Sequence, residues 1–389
     1  MKILITTDLY AITTNGVVTS ISNLREELIR AGHEVRILTF SENTKSHKDE
    51  SASYIRSMPF PVYKSVRMPL TYRHKFIKEM VDWHPDVIHS QCEFFSYQFA
   101  LYIAKRTGAP IVHTCHTMYE QYSKYVLPGK RLGRFAVRRF MRSRLKKVSA
   151  IIAPTAKVAE TLRGYGIDKP IEVIPSGINL EKHKLPVPKE VRREKRAALG
   201  YTDENLVLIN LGRLGFEKNT GELVAFMKGA VSEHPELRLL IVGDGPAREE
   251  LEADTDRLGI RDYVHFTGMV APDEVHDYYQ LGDVFVSAST SEAQGLTYIE
   301  ASANALPLLC REDPCVLDVI TPGESGYAYR DEEDFREKLR LIASDPEWRK
   351  RAGEAGQRIA DTYDKVNFGK NAERLYRTVV GGAEVSESV

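Results

Sequence analysis

Short apolar runs alternate with amphipathic stretches along nearly the whole chain. In the first half, strand-like runs fall at residues 2–6, 34–40, 87–89, 111–113, 149–153 and 171–174. Between them lie stretches of helical period, such as residues 17–31, which close on Gly32, a good helix stop. The second half repeats the pattern, with strand-like runs at 206–211, 238–242, 263–266, 284–287 and 308–310. Alternation of this kind predicts an α/β protein with a parallel, doubly wound sheet in each half. Such sheets bind ligands beyond the C-terminal ends of their strands, so the loops after the strands are where chemistry is expected. The boundaries expected are an N-terminal domain at 1–180, a charged linker at 181–200 containing Pro186 and Pro188, and a C-terminal domain at 201–360. A last helix at 361–380 and a frayed tail at 381–389 follow.

Composition narrows the class. A chain of 389 residues with 42% hydrophobic content can bury two cores. Its 54 basic and 54 acidic residues cancel, so no overall field favours nucleic acid. No apolar run approaches bilayer length, and Met1 leads directly into a strand-like run without a cleavage region. Cys92, Cys115, Cys310 and Cys315 show no metal-type spacing and no disulfide framework. The expectation is a cytoplasmic protein with free thiols and no metal site.

The most informative stretch runs from Ser287 to Leu308. An apolar strand leads into a polar turn and then a helix that starts near Gly295. The N–H groups of Gly295, Leu296 and Thr297 would sit unpaired at the positive end of that helix, an anion site. Glu292 on the turn and Glu300 within the helix bracket it. Carboxylates repel phosphate but grip sugar hydroxyls, so the pattern asks for a ligand with phosphate in the middle and polyol at both ends. A nucleotide sugar fits. After the strand at 206–211, Arg213 and Lys218 flank a glycine-containing turn and can neutralise a diphosphate. Gly243-Asp-Gly-Pro246 is another tight turn that opens backbone access.

In the first half, Asn15-Gly16 turns the chain into a helix and lets a bound group approach the backbone. His113 and His116 follow the strand at 111–113. His113 is read as a core histidine bonded to backbone, and His116 as a donor to a sugar hydroxyl. From Lys124 to Lys147 the chain carries no acid; Arg131, Arg134, Arg138, Arg139, Arg142, Lys146 and Lys147 interleave with apolar residues at helical spacing. Such a helix suits an anionic membrane surface, where each cation contributes about 1 kcal/mol. An ordinary helix with a charged outer face is the alternative, and a nucleic-acid patch a third reading that the neutral balance disfavours. Prolines and apolar residues between Tyr54 and His74 fit either an acceptor or membrane-dipping loop or packing over the sheet edge.

The motif E-A-Q-G-L-T-Y-I-E, from Glu292 to Glu300, resembles the mark of retaining glycosyltransferases of family 4, which have the GT-B fold. G-R-L-G-F-E-K-N at 212–219, I-P-S-G-I-N at 174–179 and N-G-V-V-T-S-I at 15–21 resemble further parts of that family. H-T-M-Y-E-Q-Y and D-P-C-V-L-D-V-I look like its 1,2-diacylglycerol 3-glucosyltransferase branch. The resemblance implies two Rossmann-like domains facing a central cleft, with the last helix crossing back to the N-terminal domain. It implies acceptor binding in the first domain and donor binding in the second. By resemblance, His116 meets the donor sugar, Arg213 and Lys218 hold the phosphates, Glu292 faces the sugar and Glu300 the ribose. Gly243 falls near the nucleoside, and Met269 and Val270 near the base.

The activity implied is α-retaining transfer of glucose from UDP-glucose to diacylglycerol at the inner face of a membrane. Positive charge at the diphosphate would come from Arg213, Lys218 and the helix N-terminus, without a metal. Another donor sugar, or a glycolipid, soluble acid or polysaccharide acceptor, is the first alternative; a sugar-nucleotide epimerase and a non-catalytic nucleotide-sugar sensor are others. Two departures bear on this. Ala305 stands where the family commonly has Gly, and Glu-Ala-Gln replaces the branch's more usual Glu-Thr-Gln.

Overall fold

The structure, a computed structural model, describes residues 1–10, 15–42, 45–60, 67–119 and 130–382, without the side chains of 130–132. It divides into two compact units, residues 1–177 with 365–389, and residues 178–364.

In the first unit the strands are β1 (Lys2–Thr6), β2 (Glu34–Phe40), β3 (His47–Lys48), β4 (Ser53–Ile55), β5 (Ser57–Pro59), β6 (Arg67–Pro69), β7 (Val87–Ser90), β8 (Ile111–Thr114), β9 (Ala150–Ala153) and β10 (Ile171–Val173). Among the described residues, eight of them form one sheet in the order β10-β9-β8-β7-β1-β2-β4-β3, parallel except for the β3–β4 edge. Ile3, Leu4 and Ile5 of β1 have no exposed surface, as expected of a parallel strand covered on both faces. Helix Gly16–Arg30 is capped by Asn15, whose side chain accepts from Val18 N–H at 2.9 Å. Strand order reverses at β1, which has β2 on one side and β7 on the other. The loops after β1 and β7 therefore open at a topological switch point. Helix Lys365–Val380 lies in this unit, with Phe368, Ala372, Leu375 and Tyr376 buried in the same core as Ile3, Leu24 and Val112.

The second unit contains β11 (Leu206–Leu211), β12 (Leu237–Val242), β13 (Val264–Gly268), β14 (Val284–Ser287), β15 (Leu308–Arg311) and β16 (Gly326–Tyr329), in the order β13-β12-β11-β14-β15-β16 and parallel throughout. Leu206 and Leu208 of β11 join one core, Val207 and Ile209 the other. That is the period-two signature of a sheet covered on both faces. The switch point here is β11, between β12 and β14.

Residues 181–200 are not a linker. Helices Leu180–His183 and Lys189–Ala198 fill most of the stretch and belong to the second unit. Arg196 is buried and donates to Asn205 O at 2.6 Å, with its guanidinium 3.3 Å from the Asp283 carboxylate. Arg192 reaches the same carboxylate at 2.8 Å. Asp283 in turn accepts from Val207 N–H at 2.8 Å. Long basic side chains pack along the fold while their heads reach the half-buried Asp283, so a composition that reads as solvated becomes an outer layer of the unit. The chain instead crosses between units after Gly177 and after Asp364. Strands β3–β6 and β16 are too short for their apolar pattern to stand out. Within the Tyr54–His74 stretch, β5 and β6 pair as an antiparallel ribbon, and residues 61–66 lie outside the described residues. Of the expected tail, residues 383–389 also lie outside them.

Candidate functional site

The loops after β11 and β14, adjacent strands at the second unit's switch point, carry the densest chemistry. After β11 the chain makes a single 3-10 turn, Phe216–Lys218, before helix Thr220–Glu233. After β14 it runs through Ser289 and Ser291 to Gly295, which caps helix Leu296–Ala303 with φ +76°. Asn210 of β11 donates to Val286 O of β14 at 2.9 Å, joining the strands, and Ser291 Oγ donates to Glu217 O at 3.0 Å, which ties the two loops together. Across them Lys218 Nζ donates to Glu292 Oε1 at 2.6 Å. Arg213 pairs with Glu217, whose side chain is nearly buried. Arg213, Lys218, Glu292 and the N-terminus of helix Leu296–Ala303 thus meet on one face of this unit.

Gly295 is required by space as well as by φ. A Cβ there would fall 2.5 Å from the ring of Tyr298, which is buried under the turn. Gly295 brings no capping side chain to this helix, and a helix N-terminus of that kind presents N–H groups to an anion. Leu296, Thr297, Glu292 and Glu300 are half-buried. Tyr279 donates to Glu300 Oε2 at 2.8 Å. Burial outweighs that bond and lifts the Glu300 carboxyl to about 7. Cys315, at the start of helix Pro314–Leu317, donates its thiol to Glu292 O at 3.2 Å and so braces the turn.

Gly243 bridges to Gly268 and has φ +134°, and a Cβ on it would collide with Gly212 O. Close approach of the loops to one another therefore accounts for this glycine without a ligand. Met269 is exposed and Val270 half-buried just after β13.

The first unit has its own cluster at the C-terminal ends of β1, β7 and β8. Asp8 accepts from Ser96 N–H at 2.6 Å, anchoring helix Phe95–Thr107, and burial raises its carboxyl to about 6. His113 is a core histidine, but its Nε2 lies 3.2 Å from the carboxylate of buried Glu93 rather than on backbone. Tyr119 donates to the other oxygen of Glu93. With Cys115, Glu93 and His113 place N, O and S atoms within 4.8 Å of one another. Both Glu93 oxygens are already engaged by His113 and Tyr119, the arrangement of a hydrogen-bonded core network. His116 is half-buried, and its Nε2 meets Gln91 Oε1 at 2.7 Å. Gly16 opens helix Gly16–Arg30 on the exposed side. The loop Gln91-Cys92-Glu93 escaped the sequence reading, although polar residues just past a strand end were a usable signal.

The basic stretch folds as helix Lys130–Leu145. Met141 and Leu145 are buried inward, and Phe140 stacks on Phe94 at 5.4 Å. Outward lie Arg134, Arg138, Arg139, Arg142, Lys146 and Lys147, with Phe135 64% exposed among them. Arg138 Nε also donates to Tyr165 O at 3.1 Å, so part of this charge serves the fold. The side chain of Arg131 lies outside the described residues. Among the described residues no helix is long and apolar enough to cross a membrane.

A family model described as Glycosyltransferase Family 4 matches residues 14–182, and one described as Glycosyl transferases group 1 matches residues 191–359. The alpha-monoglucosyldiacylglycerol synthase of Streptococcus pneumoniae is 32% identical over 379 residues, covering 97% of this chain and 85% of that protein. The protein of the same name from Acholeplasma laidlawii is 32% identical over 391 residues, covering 98% of each. Among solved structures, the sucrose-phosphate synthase of Thermosynechococcus elongatus superposes with a TM-score of 0.78 at 22% identity, covering 98% of this chain and 100% of that one. Anabaena Alr3699/HepE in complex with UDP-glucose superposes with a TM-score of 0.74 at 16% identity, covering 96% of this chain and 99% of that one.

Proposed function

The chain belongs to glycosyltransferase family 4 and has the GT-B fold, and from that premise we propose that it transfers glucose from UDP-glucose to 1,2-diacylglycerol with retention of the α configuration. The observation that carries this reading is the near full-length identity to two alpha-monoglucosyldiacylglycerol synthases. The grouping of Lys218, Arg213, Glu292 and a glycine-capped helix N-terminus at one switch point supports a nucleotide-sugar donor there.

In this reading the donor diphosphate lies against Gly295–Thr297, with Arg213 and Lys218 balancing its charge. As the bond from the anomeric carbon to the diphosphate oxygen breaks, negative charge grows on the leaving UDP. Fixed N–H dipoles and two cations stabilise it more than they stabilise the intact donor. These groups supply that stabilisation without a metal. Glu292 takes sugar hydroxyls, and Glu300 the ribose pair. Gly243, Met269 and Val270 border the nucleoside. In the first unit, Gly16 at a helix start and His116 just past a strand end would meet the substrate.

The exposed cations of helix Lys130–Leu145 and Phe135 support peripheral attachment to an anionic leaflet on the cytoplasmic side. The testing experiment is a mass-spectrometric screen of UDP-sugars against diacylglycerol, monoglucosyldiacylglycerol and soluble acceptors in mixed micelles. Glucosylated diacylglycerol from UDP-glucose is the expected product. Transfer only to a soluble acceptor would remove the lipid assignment. Sugar isomerised without an acceptor, or donor bound without turnover, would remove transfer itself.

A further inference from the structure

Behind His116 runs a chain of buried hydrogen bonds that ends on the C-terminal helix of the first unit. His116 Nε2 meets Gln91 Oε1 at 2.7 Å, and Gln91 Nε2 meets His89 Nδ1 at 3.1 Å. His89 Nδ1 also lies 2.6 Å from the hydroxyl of Tyr376, and His89 Nε2 lies 2.7 Å from Thr114 Oγ1. Tyr376, His89, Gln91 and Thr114 are all buried. In such a network a reversed link leaves a donor facing a donor or an acceptor facing an acceptor.

The polarity follows from Tyr376. Its hydroxyl proton is shut away from water and has His89 Nδ1 as its acceptor. Burial holds His89 neutral, well below the ordinary histidine range, so a ring whose Nδ1 accepts carries its proton on Nε2 and donates it to Thr114. The NH₂ of Gln91 shares that lone pair more distantly, at 3.1 Å, because the amide oxygen there would meet it lone pair to lone pair, and this turns the amide oxygen to His116. That oxygen requires a proton on His116 Nε2.

We infer that Gln91, set by His89 and Tyr376, is a positioning residue that holds His116 as the Nε2–H tautomer. The ring nitrogen left to meet a ligand is then Nδ1 with its lone pair. His116 accepts a hydrogen bond from a substrate hydroxyl, the reverse of the donor role its position in the sequence suggests. This rests on the reading above in which His116 touches substrate. The neutral state fits its surroundings: burial lowers His116 to about 4, with the Glu93 carboxylate pulling upward and His113 downward, and His89 on the third side. An acceptor of this kind binds a sugar or glycerol hydroxyl while that hydroxyl keeps its own lone pairs for other contacts. It also makes the first unit's site depend on Tyr376, 287 residues away from His89 in sequence.

The test is long-range ¹H–¹⁵N correlation spectroscopy on full-length protein labelled at histidine. His116 is identified as the resonance lost in His116→Gln, and kinetics are measured in parallel. The expected result is a neutral ring protonated on Nε2 from pH 8 down to about 5, where an ordinary histidine, with a pKa near 6.5, would already be charged. Gln91→Leu should mix the tautomers and lower kcat by at least about tenfold, with donor KM little moved. Tyr376→Phe should shift the tautomer the same way to a smaller extent. Gln91→Glu keeps an acceptor for Nε2–H and adds a charge. It should preserve the tautomer, restore part of kcat, and move the acid limb of the pH profile upward. A proton on Nδ1 in the wild type would overturn the inference, as would a tautomer and kcat unchanged in Gln91→Leu. Nε2–H in the wild type with full activity in His116→Gln would instead overturn the substrate contact on which it rests.

Discussion

Lys218 Nζ and Glu292 Oε1 stand 2.6 Å apart, although 74 residues separate them in the chain. One comes from the loop after β11 and the other from the loop after β14, adjacent strands in the sheet. The cation proposed for the diphosphate and the carboxylate proposed for the sugar are thus held as a pair, each limiting where the other can go.

Separating the two should separate binding from turnover. In Lys218→Ala, affinity for UDP should fall by about 10²-fold or more, because a charge-assisted contact to phosphate is lost. Glu292→Gln removes a competitor for the ammonium, so UDP should bind as tightly as in wild type or slightly more so. Its kcat should still drop by about 10²-fold, since sugar orientation is lost. Isothermal titration with UDP alongside steady-state transfer reads both. Equal loss of UDP affinity in the two variants would count against the division of roles.

Glu300 should make donor binding depend on pH near neutrality. Its carboxyl, lifted to about 7 by burial, offers both oxygens as acceptors when ionised and only part of that capacity when protonated. Binding should therefore weaken as pH falls through 7, by at most about tenfold per pH unit, and level off where the carboxyl is fully protonated. Tyr279→Phe deletes the hydrogen bond that pulls this group down, so the inflection should move to higher pH. Glu300→Gln should bind more weakly and lose the inflection. UDP-glucose is the suitable ligand, because its diphosphate diester does not titrate in this range.

Backbone conformation at the ends of helix Leu296–Ala303 predicts two opposite stability changes. Ala305 holds φ +58°, a left-handed conformation that costs an L residue roughly 1–2 kcal/mol. Ala305→Gly should raise the melting temperature of the second unit by a few degrees, about 2–4 °C per kcal/mol. Gly295→Ala should lower it, since the new Cβ meets both an unfavourable φ and the Tyr298 ring at 2.5 Å. Differential scanning calorimetry resolves the two. An unchanged Ala305→Gly would show that the left-handed turn carries no strain.

The outward charge of helix Lys130–Leu145 should control attachment to anionic vesicles. Arg139→Glu combined with Lys146→Glu and Lys147→Glu leaves the Arg138 contact to Tyr165 intact. Each reversal should cost roughly 1–2 kcal/mol of vesicle affinity, and added salt should narrow the difference. Flotation with and without anionic lipid measures it. Equal flotation of the triple variant and wild type would make this an ordinary surface helix.

Local features of the sequence carried much of the reading. Every long strand-like run lies on an observed strand to within a residue or two, and Glu292, Lys218, Arg213 and His116 all follow strand ends. These signals are local because backbone pairing and burial impose period two on a strand, and turn residues mark its end.

Charge content alone decided nothing for residues 181–200. Whether Arg196 is solvated or buried depends on Asp283, a residue 87 positions later.

What the sequence determined by itself was the α/β alternation, the family motifs and the identity of the residues at each strand end. Only the tertiary structure decided which of them are neighbours: Lys218 with Glu292, and Gln91 with His116 and His89 in line with Tyr376. Strand order is set by how whole helices cover the sheet, and the direction of a hydrogen bond by what lies at its far end. Both are long-range properties that no window of sequence contains.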